Sequence, residues 1–474
     1  MSTATADPTA EEGGELKRTI TGRLLYFYVL GDVLGSGIYV LIGLVAGAVG
    51  GAFWIAFAVG VTIATITGLA YAELVTKYPR AAGAALFVQK AFGNRVLTFM
   101  ITVSMLSALF AASGSLATGF GTYFFTVWEL PPALLVTLVF ILLLTIVNFL
   151  GITESVVANM VMTFVEVAGL IIVMVIGVWV VAEGDADFGR LTEFTTDDHP
   201  IIAIIAGVSL AFFAMTGFEN TANIAEETIE PAKVYPRALV LGMVSAGVIY
   251  VLVAVSAALA VGPDTLAGSD AALLTVVEAG ILPLPVGFMT VLFACIAMVA
   301  ITNTTLVGIV TQPRILYGMA KEDVVPAAFG RIHASRRSPV FGLIFSGLVV
   351  AALLTIGSVL GKAGVGVDLV GRLATVTVVF LLFIYALVIV SCLKLRGQDE
   401  TEDTFRANTA LLVLGLVGNA TLLVYVVYDD PHSLIWCGAL VAVGVALFLV
   451  ELVVGKRDRP EEREPDETLV ATEV

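Results

Sequence analysis

Three glycines, Gly31, Gly35 and Gly37, fall within seven residues in the middle of the first long apolar segment. The stretch reads GDVLGSGI from Gly31 to Ile38, and Asp32 sits beside them. Glycine loosens a helix, and this one runs through an otherwise unbroken hydrophobic stretch. In a bilayer, interrupted backbone is tolerated only where it is buried in protein or lines a water-filled cavity. A helix broken at mid-membrane depth is also how secondary transporters build a substrate site. The feature marks the chain as a candidate carrier.

The membrane assignment rests on composition. Of 474 residues, 59% are hydrophobic and only 13% are charged. Twelve apolar segments are long enough to span hydrocarbon. They cover about 22–49, 52–76, 94–127, 133–151, 155–182, 200–228, 237–261, 285–316, 339–360, 368–393, 407–428 and 433–454. Lys and Arg set their orientation. With a cytoplasmic N-terminus, one side collects Lys17, Arg18, Arg23, Lys77, Arg80, Lys90, Arg95, Lys233, Arg237, Arg314, Lys321, Arg331, Arg336, Arg337, Lys394, Arg396, Arg406, Lys456, Arg457, Arg459 and Arg463. Only Arg190, Lys362 and Arg372 fall on the other side. The expectation is a multi-pass protein of the cytoplasmic membrane with both termini in the cytoplasm.

The first apolar segment is too long for a signal-peptide core and lacks a small-residue cleavage site, which argues against a cleavable leader. The net charge of −15 comes largely from acidic tails and loops, and argues against nucleic-acid binding. Cys295, Cys392 and Cys437 all lie in apolar segments and suggest no disulfide framework. Three scattered histidines suggest no metal site. Gly357 to Ala363, GSVLGKA, has the wrong glycine spacing for a phosphate loop and no hydroxyl residue after its Lys. No cofactor is expected, and transport energy would come from a gradient or from exchange.

Segment six holds a second break. Ala211 to Asn223 reads AFFAMTGFENTAN, with Gly217 and Glu219 well inside the apolar run. Segments one and six each open a set of five, at about 22–182 and 200–393. An odd number of crossings separates them, so matching segments run in opposite directions. Two glycine-broken helices at corresponding positions of inverted halves point to a midplane binding site. The expected fold is therefore all-α: twelve transmembrane helices, a 5+5 inverted repeat within a core of 21–395, helices 1 and 6 discontinuous, and two more helices over 396–455. Polar tails, 1–20 and 456–474, flank it, the first disordered and the second acidic.

At the first break, the outer half-helix begins near Gly37 with free N–H groups of partial positive charge. A carboxylate could dock on the amides of Ser36, Gly37 and Ile38 and on the Ser36 hydroxyl. The inner half-helix ends near Leu34 with carbonyls of opposite polarity. Unwinding at Phe213, Ala214 and Met215 would free further carbonyls for an ammonium group. Both polarities together suit a zwitterion. The alternative is that the glycines only allow close helix packing, as Gly43 and Gly47 do.

Asp32, Glu166 and Glu219 are carboxylates inside spans, with no basic residue at comparable depth. An ionised group there costs at least ~2.5–3.5 kcal/mol on insertion scales. Each is a candidate proton carrier, or a neutral acid hydrogen-bonding between helices. Glu73, nearer the end of its span, faces headgroups or caps a loop. Thr304 and Thr305 of segment eight could join the carbonyls of Gly31 and Leu34 around Na⁺, or bond back to their own helix.

By these residues the chain resembles the amino acid–polyamine–organocation family of permeases, which share the LeuT-type fold. The resemblance covers roughly 20–395. It rests on GSGI at 35–38, YAELVTKYPRAAGAALFVQKAFG at 71–93, GFENTANIAEETIEPAKVYPRAL at 217–239 and QPRILYGMAKEDVVPAAFGRIH at 312–333. These blocks are most similar to the cationic amino acid transporter branch and its bacterial relatives. The resemblance implies an amino acid lying between the two breaks, its carboxylate on Gly35, Ser36 and Gly37 and its amine on the Phe213–Met215 carbonyls, with Phe213 as an aromatic lid. Proton-coupled relatives can carry a lysine in segment five. By the pattern around Asn159–Thr163 that position falls at Glu166 here, so the coupling chemistry does not carry over. Many relatives also have a small apolar residue where this chain has Asp32.

The sequence thus reads as a secondary transporter of amino acids working by alternating access in the lipid bilayer. H⁺ symport is the preferred energy source, exchange of amino acids, amines or polyamines the next, and Na⁺ symport the third. A channel would need polar groups along a continuous path rather than at one depth. An enzyme would need a convergent nucleophile and base, or metal ligands, and none is visible.

Overall fold

The computed structural model describes residues 20–80, 83–129, 131–150, 153–194, 199–321, 325–333, 338–362 and 369–454. The tails assigned to 1–20 (apart from Ile20) and 456–474 lie outside the described residues, as do Arg336 and Arg337.

Among the described residues the chain is helical, with no strand beyond an isolated pairing of Ile20 with Thr228. Its helices are α1 (Gly22–Leu34), α2 (Ser36–Val49), α3 (Trp54–Lys77), α4 (Gly83–Phe92), α5 (Arg95–Val127), α6 (Ala133–Leu150), α7 (Thr153–Glu183) and α8 (Pro200–Ala211). Then follow α9 (Pro231–Ala260), α10 (Pro263–Ala267), α11 (Ala272–Glu278), α12 (Val286–Lys321), α13 (Val340–Lys362), α14 (Leu369–Lys394), α15 (Thr409–Asp429) and α16 (Ser433–Val454).

Each expected apolar segment falls on helix. Among the described residues, ten spans are long and apolar enough to cross a membrane, counting α1 with α2 as one and Pro200–Glu227 as another. The fourth and twelfth expected segments fall on α6 and α16, whose described apolar stretches, Ala133–Phe149 and Ser433–Ala446, are shorter. The outer surface is apolar: Leu142, Leu143 and Ile146 of α6 are exposed, a pattern that water disfavours and lipid accepts.

Local chemistry sets the helix ends. Asn94 accepts from the amides of Val96 and Leu97 at 2.9 and 3.2 Å and starts α5, and Asn408 does the same for Ala410 in α15. Pro200 and Pro231 open α8 and α9, where a missing N–H costs nothing. Inside the bundle α5 lies between α12 and α14, α3 runs along α9, α1 packs on α9 and α7, α2 on α8, and α6 on α13. Helices α15 and α16 pack at the periphery, against α14, α3 and α5.

One end of the bundle is clasped by charge. Glu73 on α3 is fully buried rather than facing headgroups. Arg396, just past α14, meets it with Nε at 3.0 Å and Nη2 at 2.9 Å. The Ala407 amide donates to Glu73 as well, at 2.9 Å, so the carboxylate organises the whole α14–α15 connection, which is its loop-capping role. Beside it the Lys77 ammonium donates to the Leu395 carbonyl and pairs with Glu400. The Gly397 amide, and then Lys77, hold the Glu400 carboxyl below the usual carboxylate range. Its share of the clasp is therefore present above the ordinary value and is lost as pH falls through the lowered one. Removing one partner of a buried pair strands the other charge at a cost of about 3 kcal/mol or more. Arg396→Ala is thus expected to lower the melting temperature in detergent by several degrees, and Arg396→Lys by less. A melting temperature unchanged in Arg396→Ala would show that the clasp contributes nothing to stability.

Candidate functional site

The first break is a single residue wide. Gly35, with φ −23° and ψ −147°, separates α1 from α2. Its amide still reaches the Gly31 carbonyl at 3.2 Å, closing α1. The Ser36 amide, an unpaired donor at the start of α2, donates to Thr304 Oγ1 on α12 at 3.1 Å. Gly37 and Ile38 are also first-turn residues and precede any acceptor within their own helix.

The second break is built differently. After α8 the chain tightens into a 3₁₀ turn, Phe212–Met215, passes through Gly217 at φ +118°, and continues as a 3₁₀ helix over Phe218–Glu227. A ten-residue 3₁₀ run is long, since such runs seldom exceed 3–4 residues. Two carbonyls expected to be free here are not. Phe213 accepts from the Thr216 amide and, at 2.7 Å, from the Thr216 hydroxyl. Ala214 accepts from the Tyr250 hydroxyl of α9 at 2.9 Å. That same hydroxyl also contacts the Val33 carbonyl, one residue before the end of α1. Tyr250 therefore ties the two breaks together, and nothing in its apolar sequence context signals it.

The breaks face a cavity of about 540 Å³, counting its open mouth. Asp32, Val33, Ser36 and Gly37 line it from the first break. Phe213, Ala214, Thr216, Gly217, Glu219 and Asn220 line it from the second. Thr304, Thr305 and Gly308 of α12 form a third wall. Ala108, Leu109, Ala112, Ser113 and Leu116 of α5, with Thr377 and Leu381 of α14, complete it. Small residues on α5 leave room that larger ones would fill. Gly35, Ile38 and Met215, expected at the site, pack behind the lining rather than in it.

Asp32 is 2% exposed. Its Oδ2 accepts from Asn220 Nδ2 at 3.0 Å, while Oδ1 has no partner in the protein. The Ser36 hydroxyl is likewise buried and unpartnered. Glu219 Oε2 accepts from the Gly217 amide at 2.9 Å and from the Tyr385 hydroxyl of α14 at 2.6 Å.

Glu166 does not line the cavity. It lies fully buried on α7, where Oε1 accepts from Asn303 Nδ2 at 3.3 Å and Oε2 has no partner. Asn303 also accepts from Asn159 Nδ2 at 2.9 Å and lies 3.4 Å from the Thr163 hydroxyl. This polar knot sits behind α1 at Gly31, where a Cβ would fall 1.9 Å from Thr163 Oγ1. The Glu166 main-chain carbonyl accepts from Tyr39 of α2 at 2.7 Å. Of the oxygens considered for Na⁺, the Gly31 carbonyl receives the Gly35 amide, and Thr304 receives the Ser36 amide. Thr305 bonds back to Ile301 at 2.7 Å.

The elements that carry the two breaks are fastened to the rest of the bundle. On one side α2 packs against α10 and α11, so closely that a Cβ on Gly43 would lie 2.7 Å from the Leu266 carbonyl. On the other, Arg314 of α12 pairs with Glu227 at 3.5 Å, and Ile20 bonds to the backbone of Glu227 and Ile229.

A family described as amino acid permeases matches residues 23–454. Cationic amino acid transporter 9, chloroplastic, of Arabidopsis thaliana is 25% identical over 64% of this chain; the match spans only 55% of that relative's length. Branched-chain amino acid permease BcaP of Bacillus subtilis is 23% identical over 73% of this chain and 77% of its own. Low-affinity putrescine importer PlaP of Escherichia coli is 24% identical over 74% of this chain and 77% of its own.

Proposed function

This chain belongs to the amino acid permease family, a multi-pass membrane transporter and not an enzyme, and on that premise we propose that it carries amino acids across the cytoplasmic membrane by alternating access, coupled to H⁺. The observation that carries the reading is the cavity where the two helix breaks meet, lined by both and holding buried polar atoms of Asp32 and Ser36 without partners. The amides of Gly37 and Ile38 at the start of α2 suit a carboxylate, and Phe213 closes over the apolar part. The sequence distribution of Lys and Arg supports cytoplasmic termini.

The helix contacts support two inverted repeats. The second expected segment packs on the seventh (α3 with α9), the third on the eighth (α5 with α12) and the fourth on the ninth (α6 with α13), as a pseudo-two-fold axis between halves would require. Alternating access then opens the cavity to one side of the membrane at a time. Toward the cytoplasm this means parting Arg314 from Glu227 and lifting Ile20 from its bonds. Glu166 is the first candidate for the proton, with Asp32 and Glu219 after it. Exchange is the second mode. The amine named for the putrescine importer, together with two carboxylates in the lining, keeps an amine without a carboxylate as the second substrate reading.

The test is competition for binding by blocked forms of an amino acid that binds the purified protein. A zwitterion held at both ends will lose at least about tenfold in affinity when N-acetylated, and as much when its carboxylate is methylated, each being the loss of a charge-assisted contact. An amine lacking any carboxylate that binds as well as the parent amino acid would remove the role given to Gly37 and Ile38.

A further inference from the structure

We infer that Asp32 is the residue on which the substrate ammonium docks, taking the part that main-chain carbonyls at the helix breaks would otherwise play. The inference rests on the reading of the cavity as the substrate site.

Three of the carbonyls at the two breaks are already engaged. Val33 and Ala214 converge on the Tyr250 hydroxyl, and Phe213 accepts twice from Thr216. An ammonium seeking those oxygens must displace bonds the protein makes to itself. Asp32 offers an acceptor that displaces nothing, because its Oδ1 is buried and unpartnered. Its position is held from both sides. Asn220 fixes Oδ2 at 3.0 Å, and the missing side chain of Gly217 makes space for the carboxyl, since a Cβ there would lie 2.9 Å from Asp32 Cγ.

Charge points the same way. Among the described residues, no Lys or Arg lines the cavity. Its other acid, Glu219, already receives the Gly217 amide and the Tyr385 hydroxyl on Oε2. A carboxylate in a membrane interior is paired or neutralised, and a ligand ammonium is a partner that arrives and leaves with transport. Ser36 lies one helical turn beyond Asp32 with its hydroxyl unpaired. A zwitterion would then lie along α1 and α2, its ammonium on Asp32 and its carboxylate on the first-turn amides of α2.

The experiment measures binding of L-leucine, L-arginine and putrescine to purified wild type and Asp32→Asn, with 4-methylpentanoate as the deaminated leucine. Asparagine keeps the shape and still accepts from Asn220, so only the charge changes. Wild type is expected to bind at least one ammonium probe and to ignore the deaminated acid, and Asp32→Asn to weaken the bound probe at least tenfold with an unchanged melting temperature. Affinity within twofold of wild type in Asp32→Asn overturns the inference while leaving the substrate site intact. So does Asp32→Asn that binds normally yet loses uptake driven by a pH gradient, which makes Asp32 a proton carrier instead. Binding of 4-methylpentanoate but of no ammonium probe by wild type overturns both the inference and the reading beneath it. Should Asp32→Asn fail to fold, Asn220→Ala releases the carboxyl from its support. A three- to tenfold loss there supports the assignment, and unchanged affinity overturns it.

Discussion

Gly37→Val is expected to abolish substrate binding, with affinity falling by more than a hundredfold. A Cβ at Gly37 would lie 2.4 Å from the Ala214 Cα and 2.7 Å from its Cβ. Backbone cannot yield as a flexible side chain can, so the first turn of α2 must back away from the 3₁₀ turn at Phe212–Met215. That motion opens the junction of the two breaks, moves the Gly37 amide off the cavity, and pulls Ala214 from Tyr250. From the sequence the expected effect of valine is a simple block on approach to the amides. The structure adds that the two breaks themselves can no longer meet, so a fall in melting temperature accompanies the loss. Gly37→Ala brings the same Cβ and is expected to behave almost as badly. Gly47→Ala is the control. It lies on the same helix, where a Cβ would stand 3.2 Å from the Ala267 Cβ, and a shift of a few tenths of an ångström absorbs it. Binding of a labelled amino acid, measured beside melting temperature, separates the cases. Near-normal affinity in Gly37→Val would place the substrate site elsewhere in the molecule.

The helix breaks were legible in sequence because glycine and carboxylate are conspicuous in an apolar run, and hydrocarbon forbids such residues without cause. The span boundaries were legible for the same reason: an apolar stretch must be about as long as the bilayer is thick. The short helices α4, α10 and α11 were not, since they lie in the connections, where no membrane sets a length. At the site, sequence pointed to Asp32, Ser36, Gly37, Phe213, Gly217 and Glu219, all of which line the cavity. It did not point to the walls from α5 and α14. Ala108, Ala112 and Ser113 read like any small-residue seam between helices, and only the tertiary arrangement shows that a cavity, not a neighbour, faces them. The Phe213 and Ala214 carbonyls were read as free because a break was equated with unwinding. A 3₁₀ turn interrupts an α-helix while still using carbonyls such as that of Phe213, and Tyr250 of α9 takes that of Ala214. The two options for the threonines of α12 divide by residue: Thr305 bonds back to its own helix, and Thr304 serves the first break.

Glu166→Gln is expected to retain substrate binding and exchange but to lose accumulation driven by a pH gradient. The argument starts from position. Glu166 lies outside the cavity, so its neutral amide should not disturb the ligand directly. Yet it is tied to α2, the second half of the first break, by two routes. Asn303, which donates to Glu166, precedes Thr304, the acceptor for the Ser36 amide. Tyr39, in the first turn of α2, donates to the Glu166 carbonyl. A proton on Glu166 Oε1 turns an acceptor into a donor, and Asn303 Nδ2 must then choose Thr163 over Glu166, while Asn303 Oδ1 keeps its bond from Asn159. That choice bears on Gly31, which packs against Thr163 and Asn303 with no space for a side chain. Protonation thus has a mechanical route to α1 without passing through the substrate. Glutamine fixes the neutral shape permanently, so the cycle still turns over bound substrate but has nothing left to titrate. Glu166→Ala is the poorer test, because it also empties a packed position. The measurement is uptake into proteoliposomes under an imposed pH gradient in Na⁺-free buffer, with exchange of preloaded substrate assayed alongside. Wild type should accumulate substrate at least tenfold above the glutamine variant while the two exchange at similar rates. Equal accumulation by both rejects Glu166 as the proton carrier and turns attention to Glu219 and Asp32 in the cavity wall. Accumulation by wild type only with external Na⁺ rejects proton coupling altogether, and the carbonyls of Gly31 and Leu34 with the hydroxyls of Thr304 and Thr305 become the oxygens to mutate around.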